Sequence, residues 1–134
     1  MRTLPADQAL GGNRAIDAAH RQAIEASVKD LASMLQDVLT RRLTVYMAGV
    51  RDAKTVTRWA TGESPEIRDL LAEQRLRTAY EIVALLSAEQ RPETVRAWFI
   101  GLNPHLDNAS PAQAIRDGHL AETLFAAQAF RATA

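Results

Sequence analysis

A chain of 134 residues is one domain in size and long enough to bury about two thirds of its unfolded surface around a single core. Apolar residues make up 47% and charged residues 24%, which excludes wholesale disorder, and strand formers are scarce beside Ala, Leu, Arg, Gln and Glu, so the composition predicts an all-α protein. With no cysteine, disulfides, thiolate metal sites and cysteine nucleophiles are excluded; a formal net charge of zero does not exclude a polyanionic partner, because a local patch is what such a partner meets.

The opening MRTLPADQALGGNR lacks an apolar signal core, and no run approaches the ~18 apolar residues of a membrane span, so the expectation is a soluble, cytoplasmic protein without membrane contact. Gly11, Gly12 and Asn13 predict a break, with residues 1–13 a flexible tail and Asn13 capping a helix from Arg14. Ile24, Val28, Leu31, Leu35 and Val38 recur at helical spacing, so this first helix spans roughly 14 to 39 in one or two pieces.

From Thr40 to Gly62 the charged residues are Arg41, Arg42, Arg51, Lys54 and Arg58 against Asp52 alone, a formal balance of +4. A short apolar helix through Leu43, Val45, Tyr46 and Met47 ends at Gly49, and a second runs from about Ala53 to Thr61 before Gly62 and Pro65. Two short helices with a glycine opening the turn between them form a helix-turn-helix pattern, and residues 14–62 are read as a DNA-binding unit. Val56, Trp59 and Ala60 share the face that locks the second helix to the core, while Lys54, Thr55, Thr57 and Arg58 lie on or near the opposite face. Arg forks onto guanine, Thr reaches bases or a thymine methyl, and Lys and Arg neutralise phosphates; Arg41 and Arg42 would suit backbone contacts. A solvated basic face on an ordinary helical hairpin explains the same pattern. Gly49 to Trp59 is also one residue longer than the commonest helix-turn-helix spacing, and Val45 stands where a small Ala is usual.

Residues 63–90 form a connecting segment dominated by a long helix from Pro65 to Ala88, with Ile67, Leu70, Leu71, Leu76, Ala79, Ile82, Val83 and Leu86 as its apolar stripe. Pro92 opens another helix that ends at Gly101, the start of a helical module over residues 91–134. Asn103 before Pro104 predicts a turn, Ser110 and Pro111 an N-cap and first helical position, and Gly118 a stop before a last helix from Leu120 to about Phe130. Trp59 and Trp98 fall on apolar faces and read as core anchors. His105 and His119 lack any metal-ligand spacing and read as isolated surface histidines; Glu89, Glu93, Asp107 and Asp117 read as solvated carboxylates. With no GxSxG, P-loop or dinucleotide fingerprint, no catalytic residue, metal or cofactor is expected.

Trp98, Asn103, Pro104, Leu106, Pro111, Ile115, Arg116, Asp117 and Gly118, followed by an apolar helix, resemble the C-terminal toxin-binding domain of the Xre/MbcA/ParS class of antitoxins. Thr55, Val56, Arg58, Trp59 and Gly62, then Arg75 and Leu76, resemble the helix-turn-helix half of the same proteins, so the likeness covers roughly residues 39 to 131. The resemblance implies an all-helical, commonly dimeric protein that binds its own promoter DNA and neutralises a toxin, usually one with a RES domain that destroys NAD. It implies toxin contacts at Leu102, Asn103, Pro104, His105, Leu106, Asp107 and Arg116, with Trp59, Trp98, Pro111 and Gly118 as structural anchors. Family members often have Pro before Asn in this loop, where this chain has Asn103 and then Pro104. The residues after Phe130 are few, which assigns any plugging of a toxin's active site to the last helix or to the 101–110 loop. The alternative is a stand-alone regulator or adaptor of the same architecture with no toxin.

Overall fold

The first predicted helix is two helices, and the break between them has a local cause. A computed structural model of the chain describes residues 6–133, in which α1 spans Ala6–Glu25 and α2 spans Val28–Leu39. Ser27 caps α2 by accepting from the Asp30 amide at 3.1 Å. Arg77, from a later helix, donates to the carbonyls of Ala23 at 2.8 Å and Ala26 at 2.9 Å. The guanidinium thus satisfies carbonyls that the ending of α1 orphans, and it stands where the helix dipole favours a cation.

α1 begins well before the predicted start at Arg14 and runs through Gly11, Gly12 and Asn13, so the predicted break and cap do not occur; residues 1–5 of the predicted tail lie outside the described residues. A glycine inside a helix costs about 1 kcal/mol, which a helix already docked along its later half absorbs. That half packs on the long helix α5, Leu70–Ser87, burying Ala19 and Ala23, and His20 Nδ1 lies 2.9 Å from the carboxylate of the buried Glu81. Ile24 falls one step off the buried line and is exposed.

Two short helices follow, α3 (Arg41–Ala48) and α4 (Ala53–Thr61), both packed on α2. Thr40 joins α2 to α3 with φ 101° and ψ 155°, a region that β-branched residues rarely enter. It is held there from several directions: its hydroxyl accepts from the Leu43 amide at 3.2 Å, and its carbonyl accepts from the hydroxyl of the buried Thr44 at 2.8 Å. α5 begins at Leu70, not at the predicted Pro65, because Asp69 caps it, its carboxylate accepting from the amides of Leu71 and Ala72. The buried line of α5 runs through Ala72, Leu76, Ala79, Val83 and Leu86, and the predicted members Leu70 and Leu71 fall out of phase with it and face solvent.

The chain finishes with α6 (Pro92–Ile100), a 3₁₀ turn at Pro104–Leu106, α7 (Pro111–Arg116) and α8 (Leu120–Thr133). α6 packs on α2, α7 on α3, and α8 on α5. One hydrophobic core therefore runs from Leu31, Leu35 and Val56 through Leu76 and Ile82 to Phe99, Ile115 and Ala127, so the DNA-binding unit and the C-terminal module expected from the sequence share it. The fold is an all-α bundle, and no described helix is long and apolar enough to cross a membrane.

Candidate nucleic-acid and partner interfaces

α3, the turn Gly49–Asp52 and α4 make a compact corner. Gly49 takes φ 76° and donates to the carbonyls of Val45 and Tyr46, closing α3 with a left-handed residue. Arg75 from α5 lies over this turn: its guanidinium donates to the Ala48 carbonyl at 3.4 Å and would stand 3.0 Å from a Cβ added to Gly49. Asp52, the one acid of the basic stretch, is engaged as the N-cap of α4 by accepting from the Lys54 amide at 2.9 Å.

On α4, Val56 and Trp59 are buried while Lys54, Arg58 and Thr61 form an exposed line at i, i+4 and i+7. Thr55 and Thr57 are half-buried at the flanks. The Thr57 hydroxyl donates back to the Ala53 carbonyl at 3.2 Å and accepts from Arg41 at 3.3 Å, which brings Arg41 onto the α4 face. Arg51 is exposed in the turn. Arg42, next along α3, points away from α4 and lines a groove against α6. Thr55 and Arg58 line a cavity along α4 shared with Glu63, Glu66 and Asp69 and with one further cation, Arg68. The exposed cations on and beside α4 are therefore Arg41, Arg51, Lys54 and Arg58, with Arg68 across the cavity.

The corner between α6 and α7 is closed by its own backbone. The Asn103 amide donates to the Ala109 carbonyl, the Asn103 carbonyl accepts from the amides of Leu106 and Asn108, and the Asn103 side chain accepts from the His105 amide at 2.9 Å. Asp107 and Asn108 both take left-handed φ values, 54° and 66°, which their residue types tolerate. Ser110 caps α7 by accepting from the Gln113 amide, Pro111 is buried at its first position, and Gly118 at φ 88° turns the chain toward α8. Trp98 packs against both the main core and the small cluster of Leu106, Ala114 and Ala126, with its ring edge-on to Phe99 and tilted against Phe130.

The predicted contact residues of this corner divide by exposure. Asn103 and Leu106 are buried and shape the surface from beneath, whereas Pro104, His105 and Asp107 are exposed and Leu102 is 80% exposed. Phe125 on α8, absent from the sequence-based set, is 62% exposed and meets the His105 ring edge-on at 5.9 Å. No periodicity flags it, since α8 is apolar nearly all round. Two hollows flank this patch: an apolar one of about 350 Å³ bordered by Trp98, Leu102 and Phe130, and one of about 220 Å³ that gathers His105, Asp107, Asp117, His119 and Glu122. His105 and His119, read as isolated from sequence, thus border one hollow, with His119 Nδ1 3.6 Å from the Glu122 carboxylate.

Arg116 joins the two regions. Its guanidinium donates to the Tyr46 carbonyl at 2.7 Å and lies over the Tyr46 ring at 4.7 Å, so this predicted partner contact is engaged within the chain. Arg75 from α5 and Arg116 from α7 both hold the C-terminal end of α3, where the helix dipole favours cations. Comparison of the chain with protein-family models, curated proteins and solved structures returns no match.

Proposed function

We propose that the protein is the antitoxin of a toxin–antitoxin pair, acting by binding and not by catalysis: as a dimer it occupies its own promoter through α3 and α4, and it neutralises a RES-domain, NAD-degrading toxin through the α6–α8 face. The order and spacing of residues shared with the Xre/MbcA/ParS antitoxins support the reading of both halves. The observation that carries the DNA half is the exposed line of Lys54 and Arg58 on a helix whose opposite face is buried by Val56 and Trp59, with Arg41 brought alongside through Thr57. An exposed helix face with Arg and Lys at successive turns is suited to a major groove, and Arg51 in the preceding turn is placed to meet phosphates. The toxin half is supported by an exposed apolar patch of Leu102 and Phe125 beside a carboxylate-lined hollow, a surface with both anchors and charge for a protein partner.

Two measurements test the halves separately. If a RES-domain protein is encoded beside it, co-expression of the two should restore growth, and a soluble pair that fails to do so removes the toxin assignment. Gel-shift titration on the native promoter should show Lys54→Ala and Arg58→Ala weakening binding by about 1–3 kcal/mol each if they reach bases. Equal affinity of the wild type and an Arg51, Lys54, Arg58 triple-alanine variant removes α4 from the interface. The alternative of a regulator without a toxin keeps the second result and loses the first.

A further inference from the structure

Between α3, α6 and α7 lies a groove of about 420 Å³ whose floor and walls are Leu39, Leu43, Tyr46, Ile100 and Ala112. It lies on the seam between the helix-turn-helix corner and the C-terminal module, and none of its lining residues belongs to α4 or to the Leu102–Phe125 patch. Ile100 is 61% exposed and Tyr46, whose ring carries Arg116, is 38% exposed, so the groove offers a small apolar surface to an occupant. The charged residues that border the groove are Arg42 and Arg96, and no carboxylate lines it. Arg96 spends one donor on the Val38 carbonyl at 3.1 Å, while Arg42 has no ion-pair partner within 4 Å among the described residues.

We propose that this groove is a docking site for an amphipathic helix of a partner protein, one that seats aliphatic side chains on Leu43, Tyr46 and Ile100 and places carboxylates against Arg42 and Arg96. The shape of the occupant follows from backbone chemistry. The described residues contain no strand, so an extended peptide would find no sheet edge to satisfy its amides, whereas a helix satisfies its own. Tyr46 is the one aromatic wall, too little for the stacked aromatic groove that polyproline segments use. The sign of the flanking charge follows from two cations with no acid between them, an arrangement that favours an acidic partner and repels a basic one. Arg42 is thereby assigned to a protein contact and not to the DNA face, on which Arg41 sits.

The test uses the full-length protein and a pair of synthetic helical peptides with leucines at i, i+4 and i+7, one flanked by glutamates and its twin by lysines. In amide NMR titrations the glutamate peptide is expected to shift Leu43, Tyr46 and Ile100, and to bind about tenfold or more tightly than the lysine twin. Ile100→Glu, at an exposed position that does not threaten the core, should abolish the shifts, and Arg42→Glu, which leaves Arg96 facing one new carboxylate, should remove most of the preference between the twins. Equal binding of both peptides, shifts confined to other surfaces, or unchanged binding by Ile100→Glu overturns the proposal. So does a titration in which laurate shifts these amides and the peptide does not, which would assign the groove to an acyl chain. Duplex titration of Arg42→Ala separates this from the DNA reading: an unchanged salt slope agrees with the assignment of Arg42 to the groove, and a slope reduced by about one returns Arg42 to the phosphates and overturns that assignment. A chain that binds no duplex at all leaves the peptide result standing on its own.

Discussion

The α3–α4 corner and the α6–α7 corner are both short helix pairs joined by a turn, yet they present opposite surfaces. The first uses its single acid, Asp52, as a cap and leaves Arg41, Arg51, Lys54 and Arg58 outward; the second, with α8 beside it, turns Leu102 and Phe125 outward near Asp107, Asp117 and Glu122. A cationic face attracts a polyanion through long-range field, while an apolar patch with carboxylates needs close fit to one partner. The two are not independent bodies, because a single core passes beneath both and Arg116 bolts the second corner to the end of α3. The contrast is one of surface chemistry laid on a common interior.

The largest expected effect tests that common interior. Phe99, wholly buried on α6, belongs to the same core as Val56 of α4. Phe99→Ala should cost about 3–5 kcal/mol and lower the stability of both corners together. Trp59 and Trp98 provide a reporter in each, so urea unfolding of Trp98→Phe and Trp59→Phe variants, each followed by fluorescence and by far-ultraviolet circular dichroism, should give coincident transitions. If the Trp98 signal is lost before the Trp59 signal, the corners are separate folding units.

A smaller effect sharpens the link between them. Removing Arg116 takes away one charged hydrogen bond to the Tyr46 carbonyl and a cation–π contact, both on an exposed side chain, so Arg116→Ala should cost about 1 kcal/mol in urea unfolding. Arg116→Lys keeps the charge without the planar fork and should recover only part of it. No change in either variant would mean that shared core packing alone joins the corners.

The strained joint beside Arg41 yields a change of opposite sign. At φ 101° Thr40 sits where glycine alone is comfortable, so Thr40→Gly should gain roughly 1 kcal/mol as relief of strain outweighs a cap that glycine loses only by a few tenths. Thr40→Ala keeps the strain, loses the hydroxyl that accepts from Leu43, and should cost about 1 kcal/mol. Thermal melts of the pair distinguish these signs, and equal destabilisation of both would show that the hydroxyl matters more than the backbone conformation.

Much of this architecture was legible in the sequence because its signals are local. Pro92, Ser110 with Pro111, and the glycines at 49, 62, 101 and 118 mark helix ends through backbone geometry that no distant contact has to supply. What was not legible depends on residues far apart in the chain. The break before Ser27 is completed by Arg77 some fifty residues away, the first turn of α5 turns on which side of it the core lies, and Arg116 folds back over Tyr46 seventy residues earlier. Phe125 joins the candidate partner face through His105, and the rotation of about 100° between successive helix positions sends Arg41 to Thr57 on α4 and its neighbour Arg42 to the groove against α6.

The finest distinction between the two corners is electrostatic and appears in a slope, not a midpoint. Each phosphate neutralised by a cation releases condensed counterions, so the logarithm of the binding constant falls with the logarithm of salt by about 0.9 per contact on duplex DNA. Arg51→Ala removes an exposed cation from the α3–α4 turn and should lower that slope by about one with a modest loss of affinity at physiological salt. Leu102→Ser, on the other corner, should leave slope and affinity unchanged while weakening the proposed toxin contact. A Leu102→Ser variant with a reduced slope would place DNA on both corners, and the opposition of cationic and apolar surfaces would then no longer separate two partners.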